Sequence, residues 1–173
     1  MYKRQVLTFT SIGPDGRFHS SLIHTLLGDL QLQQRIIWQL GRTMQEKGFQ
    51  GIDIDFEYIP AEDRVPFAEF VALVRHILSP FGYRVSVALA PKTSSDQQGL
   101  LYEGVDYRLL GEAADQVMLM TYEWGYTFAH IGLWLWTQRN LRVYRQFEVY
   151  IMQVSLLITF VLYIRNSIND IFQ

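Results

Sequence analysis

The sequence predicts an α/β fold built on a parallel sheet, and three observations point there. Short β-type runs near residues 52, 85 and 117 recur about every 33 residues. Stretches of helical period separate them, and Gly or Pro punctuates the junctions. Strands alternating with helices in this rhythm form βα units joined by right-handed crossovers. A complete (β/α)8 barrel of ~250 residues allots ~31 residues to each unit. Residues 5–127 therefore amount to about four units, a partial barrel.

In chain order, Gln5–Thr10 is a β-type run (Val6, Leu7, Phe9) ended by the turn Gly13-Pro14-Asp15-Gly16. His19–Leu27 reads as a helical turn or two, with Ser20 and Ser21 as candidate caps. Leu32, Ile36, Ile37, Leu40 and Met44 repeat at helical spacing, so Leu30–Lys47 is a helix that stops at Gly48. The strand around residue 52 follows. Pro60-Ala61-Glu62-Asp63 then starts a helix with acidic residues in its first turn, and Phe67, Phe70, Val71, Val74, Ile77 and Leu78 form its apolar stripe. That helix ends before Pro80. Arg84–Pro91 is the third strand, Lys92–Tyr107 a polar loop, Tyr107–Ala114 a short helix, and Gln116–Tyr122 the fourth strand.

After Thr127 the punctuation disappears, with no proline and only Gly132 in residues 128–173. The sequence thus divides into a barrel-like segment, 1–127, and a divergent apolar tail, 128–173. Val149–Ile164 is an apolar run broken by Gln153, Ser155 and Thr159. It falls short of the ~20 residues of a membrane span, so a buried helix or strand is expected before a membrane contact.

Composition narrows the function. The 173 residues are long enough for one domain with a sizeable core, and 49% are hydrophobic, which fits a folded protein. A formal charge of −2 and the absence of any Lys/Arg run exclude a nucleic-acid footprint. With no cysteine, disulfides and thiolate metal sites are excluded. The N-terminus has too short an apolar stretch for a signal-peptide core.

The chemistry concentrates in Gly51-Ile52-Asp53-Ile54-Asp55-Phe56-Glu57-Tyr58. Successive side chains on a strand face opposite ways, so Asp53, Asp55 and Glu57 share one face and Ile52, Ile54 and Phe56 the other. The carboxylates stand roughly 6.5–7 Å apart, one to the next. Such a row of like charge is costly to bury unless it is used. Proximity raises carboxyl pKa values, and a Glu kept protonated near neutral pH suits general acid work. Further polar residues follow the strand ends, where barrel enzymes place their active sites: Ser11, Tyr58, Lys92, and Tyr122 to Trp124. Tyr122 could orient a substrate carbonyl. Tyr58, Trp124 and Tyr126 offer flat faces suited to sugar rings, and Lys92 and Glu123 complete the candidate substrate-binding set. The plainer alternatives are a solvated acidic strand face, a Mg²⁺ or Ca²⁺ site on the same oxygens, and Trp124 and Tyr126 as core aromatics. His19, His24, His76 and His130 show no ligand spacing and read as incidental.

The stretch Phe49-Gln-Gly-Ile-Asp53-Ile-Asp55-Phe-Glu57 resembles the glycoside hydrolase family 18 signature, Asp-Gly-x-Asp-x-Asp-x-Glu. Met120-Thr-Tyr122-Glu123 is similar to that family's Met-x-Tyr-Asp. Together with Ala88-Leu-Ala-Pro-Lys-Thr93 and Leu119-Met-Thr-Tyr-Glu-Trp-Gly-Tyr126, they resemble the spore cortex-lytic N-acetylglucosaminidases over about residues 5–127. The resemblance implies a (β/α)8 barrel of which this chain supplies the third to sixth strands. It also implies a retaining reaction without a protein nucleophile, an exception to the two-carboxylate scheme. Glu57 would be the general acid. Asp55, tuned by Asp53, would hold the substrate's 2-acetamido group, to which Tyr122 would hydrogen-bond. The implied partner is an N-acetylated polysaccharide, peptidoglycan or chitin-like, in a spore cortex, coat or cell envelope, with no cofactor. Gln50 and Glu123 depart from the pattern, each standing where the family has Asp. Truncation is the larger departure, and it leaves a non-catalytic glycan-binding module or an inactive fragment as the alternative. A shifted reading frame after Thr127 would explain the change in composition.

Overall fold

The structure, a computed structural model, describes residues 5–120 and the strand Glu148–Ile151. Five parallel strands form one sheet: β1 (Leu7–Thr10), β2 (Gly51–Asp55), β3 (Arg84–Leu89), β4 (Gln116–Leu119) and β5 (Glu148–Ile151). Their spatial order follows the sequence, with each strand beside the next. A doubly wound sheet reverses its order at a switch point; this one does not, which is the singly wound order of a barrel wall. The chain is a partial (β/α)8 barrel. β5 falls inside the segment read as a tail and takes in the first residues of its apolar run.

Register sorts the strand residues by face. Phe9, Ile54, Val87 and Val117 align in one row, and Thr8, Asp53, Ser86 and Gln116 in the next. Rows alternate because the side-chain period is two, so a slip of one residue would exchange apolar and polar faces throughout. The apolar rows meet the helices: Ile52, Ile54, Val85 and Val87 are fully buried in the same core as Ile37, Met44, Phe67 and Phe70.

Helices α1 (Ser20–Leu27), α2 (Leu30–Lys47), α3 (Arg64–Leu78) and α4 (Tyr107–Ala113) have local causes. Asp29 caps α2 by accepting from the Leu32 N–H, and Gly48 closes it at φ 74°, where a Cβ would be strained. Asp106 caps α4 through the Arg108 and Leu109 N–H groups. Three sequence expectations need correction. Ser20 and Ser21 do not cap α1: His19 is the N-cap residue, and the Ser20 hydroxyl donates to the Tyr58 carbonyl instead. Ala61–Asp63 is a 3₁₀ turn, and α3 begins at Arg64. Asp63 does not cap α3; its buried carboxylate meets His24 Nδ1 at 3.0 Å, so His24 is not incidental.

Phe56 couples this core to the acidic strand. It is 4% exposed, stacks on Phe67 and Phe70 at 5.8 and 6.0 Å with interplanar angles of 29° and 11°, and meets Phe9 edge-on at 5.2 Å. Standing between Asp55 and Glu57, it holds the strand end against the helices. Phe56→Ala is expected to lower stability by about 3–5 kcal/mol, read as a fall in the urea midpoint. Phe56→Leu is expected to cost less than half of that.

Candidate active site

β2 carries Asp53 and Asp55 on the face turned away from the helices, and Glu57 lies two residues past the strand end. Asp53 is 7% exposed, which rules out the solvated-face alternative. Its Oδ1 accepts a short hydrogen bond, 2.5 Å, from the Ser86 hydroxyl across the register. Burial raises the Asp53 pKa and the Ser86 bond partly offsets the rise.

Asp55 is the more perturbed. Burial first, and repulsion from Asp53 second, push its pKa up to about 6. Its Oδ1 is buried with no hydrogen-bond partner among the described residues, and the same holds for Thr10 Oγ1 and Ser11 Oγ. Thr10 faces Asp55 in the β1–β2 register. Three unsatisfied polar atoms at neighbouring strand ends are unusual, because buried polar groups are normally bonded. Such a cluster is suited to a ligand that brings its own donors and acceptors. Among the described residues, no three His, Asp or Glu side chains are grouped to hold a metal ion.

Glu57 is half-buried, and the turn after it is tightly held. Tyr58 is left-handed at φ 58°, a conformation that a bulky residue adopts only when its surroundings impose it. Its carbonyl accepts from Ser20 Oγ at 2.8 Å, and its ring meets Phe18 edge-on at 5.9 Å. Ile59 is 2% exposed and lies directly under Gly104, where a Cβ would collide with the Ile59 carbonyl oxygen.

Lys92 requires a correction. Expected at the substrate, it is 2% exposed with its ammonium turned inward. Nζ donates to the carbonyls of Val105 at 2.8 Å, Tyr102 at 2.9 Å and, more loosely, Ser95 at 3.4 Å. Burial, and then the charge of Arg64, lower its pKa, while Asp106 and Asp96 oppose the shift. With its three protons directed at carbonyls, Lys92 holds the loop after β3. Tyr107 assists by donating to Ala90 O and accepting from the Lys92 N–H; burial raises its pKa.

The structure thus brings Asp53, Asp55, Glu57 and Tyr58 to one strand end and places Lys92 in the protein interior. Tyr122, Glu123, Trp124 and Tyr126 lie outside the described residues. Ser86 and Thr10 were missed by the sequence reading. Their signal was period-two alternation in β3 and β1, which puts both on the carboxylate face.

Parallel strands in sequence order, with acids at the C-terminal end of one of them, define a domain of the (β/α)8-barrel class. The chain belongs to the glycosyl hydrolases family 18, whose sequence model matches residues 2–140. It is 42% identical over 110 residues to the cortical fragment-lytic enzyme of Bacillus subtilis (strain 168), covering 64% of this chain and 26% of that protein. Identity to the Bacillus anthracis protein of the same name is 37% over 121 residues, covering 70% and 28%. Among solved structures, the Bacillus cereus spore cortex-lytic enzyme SleL matches with a TM-score of 0.76 and 31% identity, over 87% of this chain and 36% of that one. The chain spans about a quarter of the length of the curated relatives it matches.

The raised pKa of Asp55 has a consequence for stability. Its folded value, about 6, exceeds the ordinary 3.8, so the folded state holds the proton more tightly than the unfolded state does. Stability contributed by the neutral form is therefore complete below about pH 4 and is lost as pH rises through about 6. Asp55→Asn is expected to raise stability at pH 8 by about 1–3 kcal/mol, allowing for partial exposure, and to change little at pH 4. Urea titrations at the two pH values check this.

Proposed function

We propose that this chain carries the acid-bearing part of a retaining glycosidase that cleaves N-acetylglucosamine linkages by substrate assistance. The observation that carries the reading is the row Asp53, Asp55, Glu57, with Asp55 half-buried, raised in pKa, and its buried Oδ1 without a hydrogen-bond partner among the described residues. A carboxyl that is neutral over much of the acidic range is a poor nucleophile. The same carboxyl is a good hydrogen-bond partner for an amide, which brings the N–H that the open Asp55 oxygen lacks.

In this reading Glu57 donates its proton to the glycosidic oxygen as the bond from that oxygen to the anomeric carbon breaks. The 2-acetamido carbonyl oxygen attacks the same carbon from the opposite face, giving a bicyclic oxazolinium ion. Asp55, in its ionised form, accepts the acetamido N–H and balances the positive charge. Asp53, held by Ser86, tunes Asp55 through the repulsion between the two carboxylates. Water then opens the ring and yields a proton to Glu57, so two inversions restore the original configuration. Tyr122 would hydrogen-bond the acetamido group, and Tyr58, Glu123, Trp124 and Tyr126 would line the sugar.

Peptidoglycan of the spore cortex is the proposed substrate, because the relatives named above are called cortical fragment-lytic and spore cortex-lytic enzymes. The spore cortex or cell envelope is accordingly the proposed site of action. A second reading, a glycan-binding or inactive unit, is favoured by one observation. Among the described residues β1 and β5 each have a neighbour on one side only, and open edges are a liability in a sheet.

Incubating the purified chain and its Glu57→Gln variant with cortex peptidoglycan separates these readings. The catalytic reading expects reducing N-acetylglucosamine ends from the wild type and a loss of about 10²–10⁴-fold in the variant. Equal binding by both proteins without release of reducing ends would support the binding unit instead.

A further inference from the structure

We propose that Lys92 is a positioning residue for Glu57, acting through the segment Tyr102–Val105 and the turn Tyr58–Ile59. This role deepens the reading of Glu57 as proton donor and rests on it.

The links are consecutive and each is a direct contact. Lys92 Nζ donates to the carbonyls of Tyr102 and Val105 on either side of Gly104. Between those two carbonyls, that of Glu103 accepts from Arg64 Nε at 2.6 Å. A single strip of backbone is thus tied by two cations, one from the loop after β3 and one from the first residue of α3. Hydrogen bonds to a charged donor are stronger than neutral ones, and a low local dielectric strengthens them further.

The strip so fixed presses on the catalytic turn. Gly104 is buried with its backbone against Ile59, too close for any side chain. Ile59 cannot retreat, because it is itself in the core. Directly before it, Tyr58 is held left-handed, with its carbonyl fastened to Ser20. The peptide between Glu57 and Tyr58 is therefore set from two sides, by α1 through Ser20 and by the β3–α4 loop through Gly104. Relaxing either side lets Tyr58 return toward ordinary φ, which swings that peptide and redirects the Glu57 carboxyl. General acid work depends on that direction within a fraction of an ångström.

A lysine that merely stiffened the loop would leave the turn and the chemical step untouched. The test uses the full chain carrying Lys92→Met, which keeps the apolar stem and removes the three donors, and separately Gly104→Ala. The backbone amide resonances of Glu57, Tyr58 and Ile59 are followed beside those of β1. The positioning role expects the three turn amides to move while β1 stays in place. It also expects kcat on an N-acetylglucosaminyl substrate to fall about 10²-fold with KM unchanged. Unmoved turn amides in a folded Lys92→Met chain would overturn the proposal, as would a rise in KM at constant kcat. If Lys92→Met does not fold, Lys92→Gln, which keeps a polar head in the same place but removes the charged donor, decides by the same readouts. If the wild-type chain cleaves nothing, the reading of Glu57 fails by itself and the amides still decide the brace.

Discussion

Two carboxyl groups on one strand face, Asp53 buried and Asp55 half-buried, are the constraint around which this molecule is arranged. Ile52, Ile54 and Phe56 must enter the helix-facing core, and strand geometry then turns Asp53 and Asp55 to the opposite face, where water is scarce. At ~7 Å in a surrounding of effective dielectric ~20, two full charges repel by ~2 kcal/mol, before any cost of desolvation. The structure meets this by differentiation. Asp53 receives the Ser86 hydroxyl, while Asp55 Oδ1 has no hydrogen-bond partner among the described residues and Asp55 has the higher affinity for a proton. Neighbouring carboxyls in unequal environments are how one site supplies distinct acid and base roles.

The rest of the described chain serves to keep that strand end in place. Below it, the phenylalanine cluster around Phe56 resists movement toward solvent. Beside it, the loop after β3 looks irregular in sequence yet is fastened by charge-assisted hydrogen bonds from Lys92 and Arg64. The turn bearing Glu57 is caught between that loop and α1. Strain in a left-handed Tyr58 persists only because its neighbours leave no alternative.

Much of this was legible in the sequence because it depends on period and punctuation. The spacing of Leu32, Ile36, Ile37, Leu40 and Met44, with Gly48 after them, located α2 with both its ends. Alternation in Gly51–Asp55 separated core from carboxylate face. What escaped depends on contacts across long stretches of chain. Nothing near Lys92 indicates that three carbonyls from residues 95–105 close around it, so a cation at a strand end read as a substrate contact. Ser20 had the composition of a cap, but a carbonyl 38 residues away captured its hydroxyl. Ser86 and Thr10 are unremarkable residue types whose importance comes from register alone.

The central claim, that burial and Asp53 keep Asp55 protonated toward neutrality, can be measured without any substrate. Carboxyl carbon resonances of labelled aspartates would be followed by NMR from about pH 3 to about pH 9, with Asp55→Asn to assign the signal. A midpoint near 6 for Asp55, with a smaller coupled step as Asp53 titrates, is the expected result. A single midpoint close to the ordinary 3.8 would show that the carboxyl is solvated, and would contradict the arrangement described for this site.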